Sequence, residues 1–409
     1  MKVPVMTAQL DVKSDFGIYD IYPELAYFDS VSTTLVPKKA IKATTVFLNT
    51  IAVSSRRGAY RLAVMGNTLV ENVRTSLADF MNTDKSQISF HESIPAILAS
   101  LAYGYGWHRE DQNRILIAQS EEHSILTALM RVAEVLGLDV GIIPIDATGS
   151  LQMERLKELV NRKTGIVAVG QVTPGIGARN PINEVAEIAH ENGAILVTDA
   201  TRSIGITNTP PQSLGADVLI FSGNIGLMGP PGLAVQWIDE ALGAILLPGI
   251  IGGSAVANVT TSSYDIAMQP DKFESGTINV PAIVGLGAAI DYLRSLYSRG
   301  FSSHLKTLSR YMLERLTSIN DVFVYGLPDE NSTIFGFNVG QDNAISCHDV
   351  SLFLDQSNVA VRSGLLCAHP LVRLFAEEGI VQASLYVYNS LDDIDRLADS
   401  LKLIRDQLI

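Results

Sequence analysis

The chain has 409 residues, of which 47% are apolar and 18% charged, and this length favours two domains, one large and one small. Its net charge of −13 argues against a nucleic-acid or membrane partner, because phosphate groups are bound by clustered Lys and Arg. The sequence shows no secretory signal pattern and has too few cysteines for a disulfide framework, so we expect a cytoplasmic protein. The low charged fraction favours an oligomer.

Between about residues 86 and 240, short β-branched runs alternate with segments of helical period. The β-branched runs predict buried strands at 115–119, 139–145, 165–172, 194–200 and 217–223. The segments between them predict helices at 124–136, 151–160 and 182–190. This alternation predicts a parallel sheet covered by helices on both faces, with ligands at the carboxyl ends of the strands.

The remainder of the chain predicts a second, smaller unit. A Gly-rich segment at 241–271 is expected to be a mobile loop. Helices at about 281–296, 303–319 and 348–354, strands at 322–326, 333–339 and 382–388, and a last helix from 391 then predict an α+β domain. We predict an N-terminal segment of residues 1–37 that lies partly with the small domain, a large domain at 38–290 and a C-terminal domain at 291–409.

Three residues occupy positions that suit a role in catalysis or ligand binding. For each of them a purely structural role is the alternative. Asp199 ends a predicted strand, where α/β folds bind ligands, but Asp is also a common cap. His123 follows another strand and is equally suited to a helix start. Cys367 lies in a Gly-containing loop that suits a reactive thiol, although most lone cysteines are buried. Cys347 is interpreted as structural, and we predict no metal site.

Several motifs occur together in a specific order along the chain. They read YFDSVSTT, SEEHS, LVTDA, FSGNIGLMGPPG, FESGT, VRSGLLCAHP and QASLYVYN. They resemble the SufS-type cysteine desulfurases of the class-V aminotransferase family, whose corresponding motifs include MEHHS, LVDGAQ, FSGHKxxGPTG, FEAGT and VRTGHHCAQP. The likeness covers nearly the whole chain. It implies a fold-type-I pyridoxal-phosphate (PLP) transferase, with a mainly parallel seven-stranded sheet, helices on both faces and a smaller C-terminal α+β domain.

The resemblance also implies roles for residues that this chain retains. Asp199 falls on the Asp that binds the pyridinium nitrogen, and His123 on the His that stacks on the cofactor ring. Cys367 falls on the persulfide-forming Cys, and Ser222 belongs to the cofactor-binding segment. The FESGT loop reaches the cofactor phosphate of the partner subunit in this family, which gives Thr277 a role in trans. The Arg57–Gly58 pair near that interface also matches.

Other positions of the family pattern are replaced. Ile225 stands where the family has the Schiff-base lysine, and Asn224 where it has the preceding His. The remaining replacements are Arg202 for a Gln near the cofactor's phenolic oxygen, Pro174 for an Asn, Gln382 for the Arg that holds the substrate carboxylate, and Ser93-Ile94-Pro95 for the phosphate-binding segment. Lys272 is the only lysine near a matched motif.

These replacements lead to our functional hypothesis. PLP is expected from the family, but Ile225 has no nucleophile, so we predict that no covalent adduct forms there. We expect a desulfurase-like protein of sulfur and iron–sulfur metabolism that is non-catalytic or depends on a partner. The alternative is an active sulfur-transfer enzyme that uses Cys367 or non-covalently bound PLP. We expect a homodimer, with a heterodimer with a lysine-bearing paralogue or a sulfur-carrier scaffold as the alternative.

Overall fold

A computed structural model describes residues 10–56, 58–107, 111–207, 209–340 and 344–408. The strands are β1 Ala26–Tyr27, β2 Ile88–His91, β3 Arg114–Ala118, β4 Asp139–Ile143, β5 Thr164–Ala168, β6 Ile195–Asp199, β7 Val218–Ser222, β8 Ala234–Ile238, β9 Val256–Val259, β10 Tyr264–Ile266, β11 Val322–Val324, β12 Ile334–Val339, β13 Val359–Ala360, β14 Arg362–Gly364 and β15 Ile380–Ser384. The α-helices are α1 Lys38–Thr50, α2 Arg61–Met81, α3 Ile94–Gly104, α4 His123–Leu136, α5 Met153–Leu159, α6 Ile182–Glu191, α7 Glu240–Ile245, α8 Val280–Tyr297, α9 Phe301–Thr317, α10 Cys347–Gln356, α11 His369–Val372 and α12 Leu391–Leu408.

The largest sheet has seven strands in the order β2-β8-β7-β6-β5-β3-β4. Strand β8 runs antiparallel to both of its neighbours, and the other neighbouring pairs are parallel. Alternate residues of β3 face opposite sides, because side chains on a strand alternate. Leu116 packs in the core that includes α2, α6 and α8, while Ile115 and Ile117 pack with α3 and α4. The predicted α/β fold class is confirmed.

Strand β4 differs from the prediction of a buried strand at 139–145. It forms one end of the seven-stranded sheet, and Val140 and Ile142 are 36% and 39% exposed. Only Gly141 and Ile143 of this strand are buried. A run of β-branched residues predicts a strand, but whether that strand is central or terminal depends on strand order, which is a long-range property.

The smaller sheet is antiparallel, in the order β11-β12-β15-β14. Helices α9, α10 and α12 cover it and share its apolar core. The strand predicted at 382–388 is found earlier, at Ile380–Ser384, because its ladder with β12 ends at the pair Ile334–Ser384. Strand β1 pairs in parallel with β13, so part of the N-terminal segment lies on the C-terminal unit.

The segment at 241–271 was predicted to be a loop and is partly regular. Helix α7 begins after Asp239, whose side chain accepts hydrogen bonds from the backbone N–H groups of Ala241 and Leu242, as is usual for an N-cap. Strands β9 and β10 then form an antiparallel hairpin. Among the residues described, no helix is long and apolar enough to cross a membrane.

Candidate cofactor site

The candidate site lies where neighbouring parallel strands end. Strand β6 ends at Asp199 and β7 at Ser222, and the loop after β3 leads into α4 at His123. The Ser222 backbone N–H donates to the Thr201 hydroxyl at 3.2 Å, which ties the two strand ends together. Carboxyl ends of parallel strands are where folds of this class bind ligands.

Asp199 has partners from its own chain on both carboxylate oxygens. Its Oδ1 accepts hydrogen bonds from the backbone N–H of Thr201 at 2.8 Å and from the Thr201 hydroxyl. Its Oδ2 lies 3.8 Å from Nη1 of Arg202. Burial raises the pKa of Asp199 to about 6, although the Arg202 charge opposes the shift. The carboxylate is therefore held in place by Thr201 and Arg202.

Arg202 forms the central ion pair of this region. Its Nη2 donates to Oε2 of Glu122, and the arginine side chain is only 7% exposed. Burial alone would raise the pKa of Glu122, but Arg202 lowers it below its ordinary value. Burial, and then the charge of Asp199, raises the pKa of neighbouring Glu121 to about 8. Two carboxylates, those of Glu122 and Asp199, thus pair with the Arg202 guanidinium.

His123 and Cys367 lie close together, as expected for two residues of one site. The His123 backbone N–H donates to the carbonyl oxygen of Cys367 at 2.8 Å, and its ring contacts that of His369 edge-on, with centroids 4.3 Å apart. The Cys367 thiol is free, and the residue is exposed. Leu366 and Cys367 both have left-handed backbone, with φ of 52° and 54°. Nη2 of Arg362 donates to the Cys367 sulfur at 3.4 Å.

The loop after β7 carries Asn224 and Ile225. The carbonyl oxygen of Asn224 accepts hydrogen bonds from the backbone N–H and hydroxyl of Thr34, at 3.0 and 2.9 Å. Ile225 is half-buried and has no donor or nucleophile. Gly226 follows with φ of +72°, and a Cβ there would lie 2.1 Å from the carbonyl oxygen of Ile204. The backbone of this loop is therefore packed directly against the turn after β6.

The side chains of Ser93 and Gln382 both accept hydrogen bonds from backbone N–H groups of the protein. The Ser93 side chain caps α3 by accepting from the N–H of Ala96 at 3.4 Å, and Pro95 in the first helical turn has no N–H to offer. Gln382 is buried, and its Oε1 accepts from the N–H of Gly175 at 3.0 Å. Its Nε2 has no hydrogen-bond partner among the described residues.

The family model of aminotransferase class-V matches residues 26–397. The chain belongs to the class-V aminotransferase family. A cysteine desulfurase of Enterobacter sp. (strain 638) is 33% identical over 389 residues, with 94% of each chain covered. A probable cysteine desulfurase of Methanothermobacter thermautotrophicus is 30% identical over 382 residues, with 92% of this chain and 94% of that protein covered. The apo structure of cysteine desulfurase from Thermococcus onnurineus NA1 has a TM-score of 0.89 at 29% identity, with 98% of this chain and 100% of that chain covered.

PLP is the cofactor expected in this family, but the residues present here do not fit it. Ile225, which the motif likeness aligns with the Schiff-base lysine, has no amine. The Asp199 oxygens, which would meet the pyridinium nitrogen, are engaged by Thr201 and Arg202. The helix start at Ser93 carries apolar Ile94 and Pro95 next to it, so it offers few side-chain donors to a phosphate.

The FESGT loop of this chain, residues 273–277, is held in place by its glutamate. Glu274 is buried and accepts from Nη1 of Arg74 at 2.8 Å and from the N–H of Phe90 at 2.7 Å. It also pairs with Nη2 of Arg56 at 2.5 Å. Thr277, by contrast, is exposed and lines a cavity of about 210 Å³ whose wall includes several hydroxyl groups. Arg57, predicted to lie near the same interface, falls outside the described residues.

Sequence reasoning missed Glu122 and Thr201 as parts of the site, and Arg362 as a partner of Cys367. The signal was present: Glu122 stands in SEEHS where the family motif MEHHS has a His, and Thr201 where LVDGAQ has an Ala. Lys272, the lysine near a matched motif and hence the candidate substitute for the Schiff-base lysine, is mostly buried. Its Nζ lies 5.0 Å from the ring centroid of Phe273. Burial lowers the pKa of its ammonium group.

Proposed function

We propose that this chain is a cysteine desulfurase-like protein of sulfur and iron–sulfur metabolism that lacks standard PLP catalysis and acts together with a partner. The observation that carries the proposal is Ile225 at the position that the motif likeness assigns to the lysine. In addition, Asp199 already has partners from its own chain. A positioned general base contributes on the order of 10²–10⁴-fold to a proton transfer. No side chain at residue 225 supplies that base here.

The test is an assay of the purified protein with L-cysteine. We expect no release of sulfide or alanine above a reaction without protein, while a lysine-bearing desulfurase assayed in parallel gives both products. The variant Ile225→Lys is expected to remain inactive, because Gln382 is engaged by Gly175 and does not replace a bidentate Arg. Turnover by either form would overturn the proposal.

The proposed partner is a lysine-bearing paralogue whose site this chain completes. Support comes from the FESGT loop, in which buried Glu274 fixes the backbone while Thr277 remains exposed. The alternative is that the loop persists because packing between identical subunits requires it, since interfaces of homodimers are self-complementary. A homodimer is therefore expected when the protein is produced alone. Co-expression with the paralogue distinguishes the two.

A second candidate function is sulfur transfer at Cys367, favoured by its exposed thiol and its contact with Arg362. In this reaction the Cys367 thiolate attacks the terminal sulfur of a donor persulfide. The S–S bond of the donor breaks, its thiolate leaves, and a persulfide forms on Cys367, with no net oxidation or reduction. Incubation with a low-molecular-weight persulfide should add one sulfur atom to the wild type and none to Cys367→Ser.

A further inference from the structure

Arg202 and Glu122 form an ion pair across the candidate site, and each replaces an uncharged or weakly basic residue of the family motif. The arginine is 7% exposed and the glutamate 25% exposed at their side chains. We propose that this ion pair takes the place of the cofactor ring. The guanidinium of Arg202 gives Asp199 the positive partner that a pyridinium nitrogen would otherwise provide.

Charge balance explains why the two replacements belong together. Arg202 without Glu122 would have to rely on Asp199 at 3.8 Å for its charge, and Nε of Arg202 has no hydrogen-bond partner among the described residues. Glu122 without Arg202 would add a third carboxylate beside Glu121 and Asp199. Removing one partner of a buried pair leaves an uncompensated charge, which is strongly destabilising.

Thr201 completes the arrangement on the other oxygen of Asp199. Its backbone N–H donates to Oδ1 at 2.8 Å, and its hydroxyl donates to the same atom. The same hydroxyl accepts from the N–H of Ser222 at 3.2 Å. Oδ1 therefore has two hydrogen-bond donors without any ligand. Oδ2 has the charge of Arg202 at 3.8 Å, which we expect a cofactor ring to displace in order to reach this oxygen.

This inference rests on the proposed function. It predicts that the Arg202–Glu122 ion pair prevents the cofactor ring from binding, and that removal of both charges allows the ring to bind. A suitable probe is pyridoxine 5′-phosphate, because it has the ring and the phosphate but no aldehyde, so surface lysines cannot bind it covalently. The readout is the thermal unfolding midpoint with and without this probe.

The experiment compares Glu122→His, Arg202→Gln and the double variant, which restores the family residues at these two positions only. Each single change is expected to lower Tm by on the order of 5 °C, as expected when one partner of a buried pair is lost from a chain of this length. The double variant is expected to lose less than the sum of the two. Pyridoxine 5′-phosphate is expected to raise the Tm of the double variant and not that of the wild type.

The matched control is the exposed pair Arg131–Glu134, with an N–O distance of 2.7 Å. Neutralising it should change Tm little. If Arg202→Gln does not fold, Arg202→Lys is measured instead, since it keeps the charge but loses the planar fork. Additive losses in the double variant, or a double variant that binds the probe no better than wild type, would overturn the inference. Turnover of L-cysteine by the wild type would instead overturn the proposed function.

Discussion

Arg362 donates from Nη2 to the sulfur of Cys367 at 3.4 Å, so a cation lies directly beside the exposed thiol. The same guanidinium donates from Nη1 to the hydroxyl of Ser32, which anchors the arginine to the N-terminal segment. Arg362 therefore links the Cys367 thiol to a residue 330 positions away from the arginine along the chain. Cys347, in contrast, is buried at the start of α10.

This difference between the cysteines predicts how they react with an alkylating reagent. In the native protein we expect one fast-reacting thiol, which is lost in Cys367→Ser and kept in Cys347→Ser. Burial raises the pKa of Cys347 and hides its sulfur. The measurement is the labelling rate followed by mass spectrometry. Equal rates in wild type and Cys367→Ser would show that Cys367 is not the accessible thiol.

Cofactor attachment at residue 225 is testable by spectroscopy. We expect the purified protein to show no absorbance of a lysine-bound PLP, and borohydride to fix no cofactor on the chain, because Ile225 has no amine. Peptide mapping after reduction is the measurement. A modified peptide that includes residue 272 would instead indicate that Lys272, whose ammonium pKa burial lowers, replaces the missing lysine.

Glu121 predicts a pH dependence of stability. Burial and the charge of Asp199 raise its pKa from 4.5 to about 8, so the folded state binds this proton more tightly than the unfolded state does. The resulting stabilisation is fully present below about pH 4.5 and is lost as the pH rises to about 8. Asp199, raised from 3.8 to about 6, acts in the same direction over its own range.

The variant Glu121→Gln cannot ionise, but its amide oxygen can still accept the hydrogen bond from Gly170. We expect its free energy of unfolding to fall less steeply with pH over that window, by at most about 1.4 kcal/mol per pH unit. Urea unfolding at several pH values measures this. The control is Glu134→Gln, at a glutamate that is 70% exposed. An unchanged slope in Glu121→Gln would contradict the prediction.

Glu274 is expected to be essential for stability. Its side chain and that of Arg74 are fully buried and pair at 2.8 Å, and Glu274 also accepts from Phe90. Glu274→Gln should lower the free energy of unfolding by about 3–5 kcal/mol, because it leaves the guanidinium of Arg74 without its buried counter-charge. Urea unfolding measures the loss. A change comparable to that of an exposed pair would show that the loop is held by other contacts.

A substitution at Thr277 tests whether this chain completes the active site of a lysine-bearing paralogue. In a complex with a lysine-bearing paralogue, Thr277→Ala in this chain should reduce the paralogue's desulfurase activity, because an exposed hydroxyl donor is lost. Thr317→Ala, at an exposed threonine of α9, is the control. Native mass spectrometry reports whether the complex forms. Only homodimers, together with unchanged activity in Thr277→Ala, would rule out trans-completion.

The sequence predicted those features that depend on neighbouring residues. Strand β6 was expected at 194–200 and found at Ile195–Asp199, because β-branched runs carry their own signal. The roles of Asp199, His123 and Cys367 were predicted from motifs and stay predictions. The Arg202–Glu122 pair was not predicted, because 80 positions separate the two residues along the chain. Glu122 follows β3 and Arg202 follows β6. The sequence does not show that these two residues meet, because that depends on the order of the strands in the sheet.

The parallel pairing of β1 with β13 has a consequence for synthesis of the chain. Ala26 pairs with Val359 and Tyr27 with Ala360, and Nδ2 of Asn389 donates to the carbonyl oxygen of Tyr27 at 2.9 Å. As the ribosome releases the chain from its N-terminus, β1 has no native strand partner among the described residues until the C-terminal unit emerges. During translation, residues 26–27 therefore stay without this native strand pairing until residues 359–360 have left the ribosome.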